Sequence, residues 1–254
     1  MDILTHIDDG VMSIQFNRVQ KKNAITAAMY QAMADALKSA DADNAVRAVL
    51  LTGSPEVFTA GNDLEDFMNH PPQGEASPVF RFLYGISHFR KPLVAAVAGA
   101  AVGVGTTMLL HCDVVYAGDN ARFALPFATL GLCPEAASSL LLPALAGHQR
   151  AAEKLLFGEP FGAEEAREMG LVNKVLPAGE VASFAFERAR RLTQLPPSSV
   201  RTTKALMRGA QLKAVEAQMA EEGANFRKLL GSPEAKEAFT AFFERRKPDF
   251  SKFS

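Results

Sequence analysis

Three stretches of the chain hold residues whose types and spacing can do chemistry. In Leu130-Gly131-Leu132-Cys133-Pro134-Glu135-Ala136-Ala137-Ser138-Ser139, Glu135 lies between a proline and small uncharged residues that run into Leu140-Leu141-Leu142. An apolar setting raises a carboxyl pKa and suits the group to proton transfer near neutrality. The plainer alternative is an acid in the first turn of a helix, favoured there by the macrodipole. In Phe58-Thr59-Ala60-Gly61-Asn62-Asp63-Leu64-Glu65, Asn62 can cap a helix with Glu65 as its reciprocal partner. The Ala60-Gly61 turn before it leaves backbone N–H groups able to face an anion. Gly99-Ala100-Ala101-Val102-Gly103-Val104-Gly105-Thr106-Thr107 is a glycine turn between a buried strand and a helix. It fails as a dinucleotide fingerprint, because Met108 stands where the third glycine belongs, and as a phosphate loop, because no Gly-Lys-Ser/Thr follows. Two such turns that converge on one oxygen make an oxyanion hole from main chain.

The remaining polar residues are assigned structural roles. Asp63 and Asp66 fall in the first turn of a helix and suit its dipole. His6, His70, His88, His111 and His148 show no metal-ligand spacing, and neither G-x-S-x-G nor H-E-x-x-H occurs, so no metal site is expected. Lys204, Arg208, Arg245, Arg246 and Lys247 are read as a solvated face, with phosphate contact as the alternative. Cys112 and Cys133 are too few for a disulfide framework and lack C-x-x-C spacing, which fits a reducing compartment. The acids in Met1-Asp2-Ile3-Leu4-Thr5-His6-Ile7-Asp8-Asp9 occupy the place of a signal peptide's basic region, so a cytoplasmic protein is expected.

The elements that must position these residues follow from periodicity. The 254 residues are 48% hydrophobic and 22% charged, with 27 basic and 28 acidic side chains, as in an ordinary globular protein. A net charge of −1 provides no field to gather nucleic acid or anionic lipid. Residues 93–110 carry no charge, but they are rich in Ala, Gly and Thr and divide into a buried strand, a glycine turn and a buried helix more readily than they form a membrane span. Alternation predicts a hairpin of residues 3–7 and 11–16 around Asp9-Gly10. Thr26 should cap a helix carrying Met29, Met33 and Leu37 on one face. Strands are expected at 47–52, 93–98, 113–117 and 171–176, and helices at 106–111 and 163–169, the last stopped by Gly170. Strands alternating with helices imply an α/β core over residues 1–195. After Pro196-Pro197 only helices are expected, at 198–208, 211–230 and 233–243, in a helical region over 196–254. Phe226, Phe239, Phe242 and Phe243 require that this region pack on its own core or on another subunit.

The ordered set of motifs resembles the enoyl-CoA hydratase/isomerase (crotonase) superfamily. The resemblance runs from Asn17-Arg18 and Asn23-Ala24 through Phe58 to Leu64, then Lys91 to Gly99 and Cys112-Asp113, into Gly162-Ala163, Ala166 and Gly170-Leu171-Val172. It implies a crotonase-like spiral of ββα units, a C-terminal helical trimerisation region giving a homotrimer or a dimer of trimers, and acyl-CoA thioesters as substrates. It also implies an oxyanion hole from the amides of Ala60 and Val104, where most relatives have glycine at the latter position. Lys22, Asn23, Ala24, Gly61, Asp63 and Leu64 would then lie along the bound CoA moiety, which is the substrate itself; no metal, nicotinamide or flavin cofactor is implied. The two glutamates of the family's hydratases correspond here to Thr107 and Phe127, whereas Gly131, Pro134-Glu135 and Ser138-Ser139 are similar to the segment of the peroxisomal-type Δ3,Δ2-enoyl-CoA isomerases that carries the catalytic glutamate. The expected reaction is a shift of a C=C bond from 3-enoyl-CoA to 2-enoyl-CoA with Glu135 as base. Hydration or another enolate reaction, and an idle fold that binds acyl-CoA or a protein partner, are the alternatives.

Overall fold

The computed structural model describes residues 1–69, 74 and 76–253; His70 therefore lies outside the described residues. β1 (Ile3–Asp8) and β2 (Val11–Phe16) form the expected antiparallel hairpin, turned by Asp9 and Gly10 at φ 47° and 77°. α1 (Ala27–Ala42) begins at Thr26, whose Oγ1 accepts from the Met29 amide at 3.3 Å, and it buries Met29, Met33 and Leu37. A strand-strand-helix succession then recurs. β3 (Ala48–Thr52) and β4 (Val57–Thr59) lead to α2 (Leu64–Asn69) and α3 (Pro78–Ser87). β5 (Leu93–Val97) and β6 (Ala100–Val102) lead to α4 (Val104–Thr107). β7 (Val114–Gly118) and β8 (Arg122–Ala124) lead to α5 (Ser138–Ala146) and α6 (His148–Phe157). β9 (Phe161–Gly162), α7 (Ala163–Glu168), β10 (Lys174–Leu176) and α8 (Val181–Thr193) close the core, and α9 (Pro197–Leu230) and α10 (Pro233–Glu244) follow.

In the three units that start at β3, β5 and β7 the first strand enters one sheet and the second enters another, whereas β1 and β2 stay together. The larger sheet has the order β1-β2-β3-β5-β7-β10, parallel from β2 onward, and the smaller has the order β4-β6-β8-β9. The result is the spiral of ββα units in an α/β fold. β3 and β5 are covered on both faces, which is why they read as unbroken apolar runs. One face packs on the main core with α1, and the other on α8 through Val11, Ala48, Val94, Ala185 and Ala189.

Four expectations change. The uncharged run 93–110 contains an extra strand, β6, inside its glycine turn, and its helix starts at Val104 and tightens into a 3₁₀ turn over Met108–His111. Among the described residues no helix is long and apolar enough to cross a membrane. The strand expected over 171–176 is confined to β10, because the amides of Leu171 and Val172 turn back to the Ala166 carbonyl and close α7. Helices 198–208 and 211–230 are one continuous helix. Gly209 costs about 1 kcal/mol there, and burial of Lys204, Val215, Glu222 and Gly223 along the same helix outweighs it.

One buried cation fastens the repeats together. Lys91 Nζ donates to the carbonyls of Ala40, Asp43 and Val46 at 2.5, 2.6 and 2.8 Å, joining the end of α1 to the start of β5. Replacing Lys91 by Met leaves these carbonyls without their shared donor. Urea unfolding of Lys91→Met should show a loss of about 3 kcal/mol at unchanged m-value.

Candidate active site

Two turns meet because the strands before them are parallel neighbours. β4 and β6 pair with Val57 opposite Ala100 and Thr59 opposite Ala101, so the segments that follow leave on the same side. Their backbones touch: a Cβ on Gly61, where φ is +86°, would lie 2.7 Å from the Val102 carbonyl oxygen, and one on Gly105 would lie 2.6 Å from Thr59 Cγ2. Only glycine permits that approach. Asn23 braces the first turn from beneath. Fully buried, it accepts from the Arg18 amide at 2.8 Å and donates to the carbonyls of Val57 and Phe58 at 3.2 and 3.0 Å.

The amides of these turns do not all face the same way. Ala60 was expected to offer a free N–H, but its amide donates to the Lys22 carbonyl at 3.0 Å. Gly61 N is held by Thr59 Oγ1 at 3.1 Å and Asp63 N by the Ile25 carbonyl at 2.9 Å. The free amide of this turn among the described residues is Asn62's. The parallel bridge of Asn62 with Ile25 explains the shift, because Ile25 bonds the residues on either side of Asn62 and leaves its N–H pointing away. Alternation of amide direction along an extended segment is the signal that could have identified it. Val104 opens α4 after Gly103 (φ 56°, ψ −119°), and its first-turn N–H has no partner among the described residues.

Glu135 lies outside any helix, because Ala136 and Ala137, at φ 59° and 56°, separate it from α5. Its carboxyl enters a chamber walled by Asn62, Phe67, Leu83, Met219 and Phe226. Burial raises its pKa to about 8; the Glu222 carboxyl adds to the rise, and a hydrogen bond donated by Thr107 Oγ1 to Glu135 Oε1 opposes it. Thr107, noted in the sequence only for lacking a carboxyl, is thus the donor that anchors one oxygen of the acid. Tyr30 is a second residue with no sequence signal. Its hydroxyl donates to Asn62 Oδ1 at 2.5 Å, and burial together with the Glu135 charge pushes the phenol well above its ordinary pKa.

With its oxygen held by Tyr30, Asn62 does not cap α2. Asp63 does, accepting from the Asp66 amide at 3.1 Å, while Asp66 Oδ2 accepts from Ala27 N at 2.7 Å. Partial burial works against the Asp63 anion, but Arg18, at 2.7 Å, and the Asp66 amide hold its carboxyl below the usual range. Lys22 is exposed in a left-handed conformation, Leu64 begins α2 against the core, and the Ala24 carbonyl accepts from Arg18 at 2.9 Å. Of these, the side chains of Asn23 and Asp63 are already engaged. Burial lowers the His111 pKa to about 4, and its neutral Nε2–H donates to the Ala136 carbonyl at 2.8 Å. Lys204 and Arg208 are not a solvated face: Lys204 Nζ bonds the Lys91 carbonyl and Asp113 at 2.6 and 2.7 Å, and Arg208 bonds the His111 carbonyl at 2.5 Å. Among the described residues no three His, Cys, Asp or Glu side chains gather as a metal site.

The raised acid has a stability consequence. The folded chain keeps the Glu135 proton up to about pH 8, whereas the unfolded chain releases it near 4.5. Protonated in both states at low pH, the group destabilises the fold as pH climbs through that window. Glu135→Gln should therefore gain stability over the wild type by a few kcal/mol between about pH 5 and pH 8, as measured by urea unfolding at a series of pH values.

Comparisons with known proteins agree with this architecture. The family model described as enoyl-CoA hydratase/isomerase matches residues 6–252. "Enoyl-CoA delta isomerase 2" of Rattus norvegicus is 39% identical over 250 residues, which are 96% of this chain and 64% of the rat protein, so the chain spans just under two thirds of that relative's length. "2,3-Dehydroadipyl-CoA hydratase" of Escherichia coli is 32% identical over 98% of both chains. A solved enoyl-CoA hydratase/isomerase from Pseudoalteromonas atlantica superposes with a TM-score of 0.95 at 44% identity, covering 98% of this chain and all of that one. The spiral of ββα units, the paired glycine turns and the match across nearly the whole length together make the chain a member of the enoyl-CoA hydratase/isomerase family.

Proposed function

We propose that the protein moves a C=C bond from the 3- to the 2-position of an enoyl-CoA thioester, with Glu135 as the only base. The observation that carries this reading is the single carboxyl in the chamber. Among the described residues that wall it, no second acid accompanies Glu135, and Thr107 and Phe127 stand where a hydratase would need one. Water addition needs one group to activate water and another to protonate carbon. A double-bond shift needs one group that removes a proton at C2 and returns it at C4.

The C2 protons of a 3-enoyl thioester lie between a carbonyl and an alkene, so their removal gives a dienolate with negative charge on the thioester oxygen. The amides of Asn62 and Val104 would meet that charge, each donor contributing about 3–4 kcal/mol to the transition state. A carboxylate of pKa about 8 is a stronger base than an exposed one, at the cost of a smaller ionised fraction at neutral pH. Thr107 would hold Oε1 while Oε2 shuttles the proton. Lys22, exposed beside the first turn, is the side chain of its segment free to meet CoA. The same reading carries association into trimers, for which the exposed Phe242 and Phe243 offer apolar surface.

Conversion of trans-3-hexenoyl-CoA, followed by the absorbance of the conjugated product, tests the proposal. Wild-type protein should isomerise the 3-enoyl thioester and should not hydrate the 2-enoyl one. Glu135→Gln should lose roughly two to four orders of magnitude in kcat. Because the base must be ionised, kcat/KM should rise with pH along an acid limb centred near about 8. Thr107→Val removes the bond that favours the carboxylate, so its acid limb should move to higher pH. Failure of the wild type to conjugate 3-enoyl thioesters of several chain lengths would refute the assignment.

A further inference from the structure

Glu222 is a buried acid that the bond shift does not use. It lies on α9 at 4% exposure, and its helical neighbours Met219, Gly223 and Phe226 wall the Glu135 chamber. Glu222 Oε2 accepts from the Ala137 amide at 2.6 Å, and Oε1 accepts from the Ser139 amide at 2.9 Å and from Ser139 Oγ at 2.5 Å. Gln218, one turn earlier, donates to Ser139 Oγ at 2.9 Å and so orients that hydroxyl toward Glu222. Each hydrogen bond that Glu222 makes here comes from a donor, and the donors lie at the positive end of α5; they favour the carboxylate against burial, which raises its pKa.

What the contact holds is the segment behind the base. Glu135 is followed by Ala136 and Ala137, both left-handed, and an alanine in that region costs on the order of 1–2 kcal/mol. Two in succession persist only where the surroundings over-determine them. His111 fixes the first by its carbonyl and Glu222 fixes the second by its amide.

We propose that Glu222 is a positioning residue of the reaction: by bonding Ala137 and Ser139 it locks the left-handed pair, sets where the Glu135 carboxyl enters the chamber, and makes the C-terminal helix a working part of the site. The proposal rests on the reading of Glu135 as base. Its electrostatic side involves the donor Thr107, the ionisable Tyr30, Cys133 and Glu222 that are coupled to Glu135, and Arg227, which lines the same chamber.

Glu222→Gln keeps the size, removes the charge and turns an NH₂ group toward a donor; Ser139→Ala removes one donor and leaves Glu222 in place. Two readouts are taken on each. One is kcat and KM for trans-3-hexenoyl-CoA. The other is the titration midpoint of the Glu135 carboxyl by ¹³C NMR of glutamate-labelled protein, its signal identified by its loss in Glu135→Gln. The expected result for Glu222→Gln is a kcat at least about tenfold lower with KM changed by less than about threefold. Its Glu135 midpoint should fall by roughly one unit as the neighbouring charge is lost. Ser139→Ala should reduce kcat in the same way by a smaller factor. A folded Glu222→Gln with wild-type kcat, or one whose kcat falls while the Glu135 midpoint stays in place, would overturn the proposal and leave Glu222 a helix cap only. Should Glu222→Gln not fold, Ser139→Ala decides by its kcat. Should the wild type fail to isomerise 3-enoyl thioesters, the function falls, and the midpoint shift alone decides whether Glu222 acts on Glu135.

Discussion

A carboxyl group drawn out of water into a pocket, with no ion-pair partner among the described residues, is a costly arrangement for a fold, and this molecule is organised around one. Among the described residues Glu135 has one hydrogen-bond donor, Thr107, and a wall that is apolar but for Asn62 and Arg227. The group answers burial by keeping its proton to higher pH, which is also what makes it a useful base near neutrality. Moving it toward solvent would relieve the cost and return its pKa toward the ordinary carboxyl range.

Two consequences follow for the surrounding structure. The backbone that delivers Glu135 must be rigid, since a buried acid on a loose loop would swing out to water; the left-handed Ala136 and Ala137 are held from two sides, by His111 and by Glu222. On the proposed reading, charge that develops on a substrate also needs fixed donors nearby, and the two turns offer the backbone amides of Asn62 and Val104. Parallel pairing of β4 and β6 aligns the two turns, and Asn23, buried beneath the first, keeps its carbonyls satisfied so that the strand end does not fray. The ββα repeat is thus a device for bringing two strand ends, distant in sequence, to one place.

The long C-terminal helix enters the same arrangement. Its inner face provides Met219, Gly223 and Phe226 to the chamber wall and Glu222 to the amides of Ala137 and Ser139, while Lys204 reaches Asp113 and the Lys91 carbonyl at the other end. Removing it would open the chamber and strip the donors of α5 of their acceptor.

Much of this was legible in the amino-acid sequence, because local chemistry and periodicity decide it. The hairpin, the Thr26 cap, the buried apolar strands and the helical character after Pro196 depend on neighbours a few residues apart. Glu135 was marked by its apolar surroundings, whereas Val104 was named only through the family resemblance. What only tertiary structure decided involves partners far along the chain. Which amide of the first turn is free depends on Lys22 and Ile25, so the unpaired N–H among the described residues is that of Asn62 and not of Ala60. Asn62 gave up its capping role because Tyr30, buried in α1, takes its side-chain oxygen. Thr107 and Glu222 gained their roles from residues 28 and 85 or 83 positions away, a separation no local pattern encodes. Sequence specifies which groups can do the chemistry; the pairing of distant strands and helices selects which of them face one another.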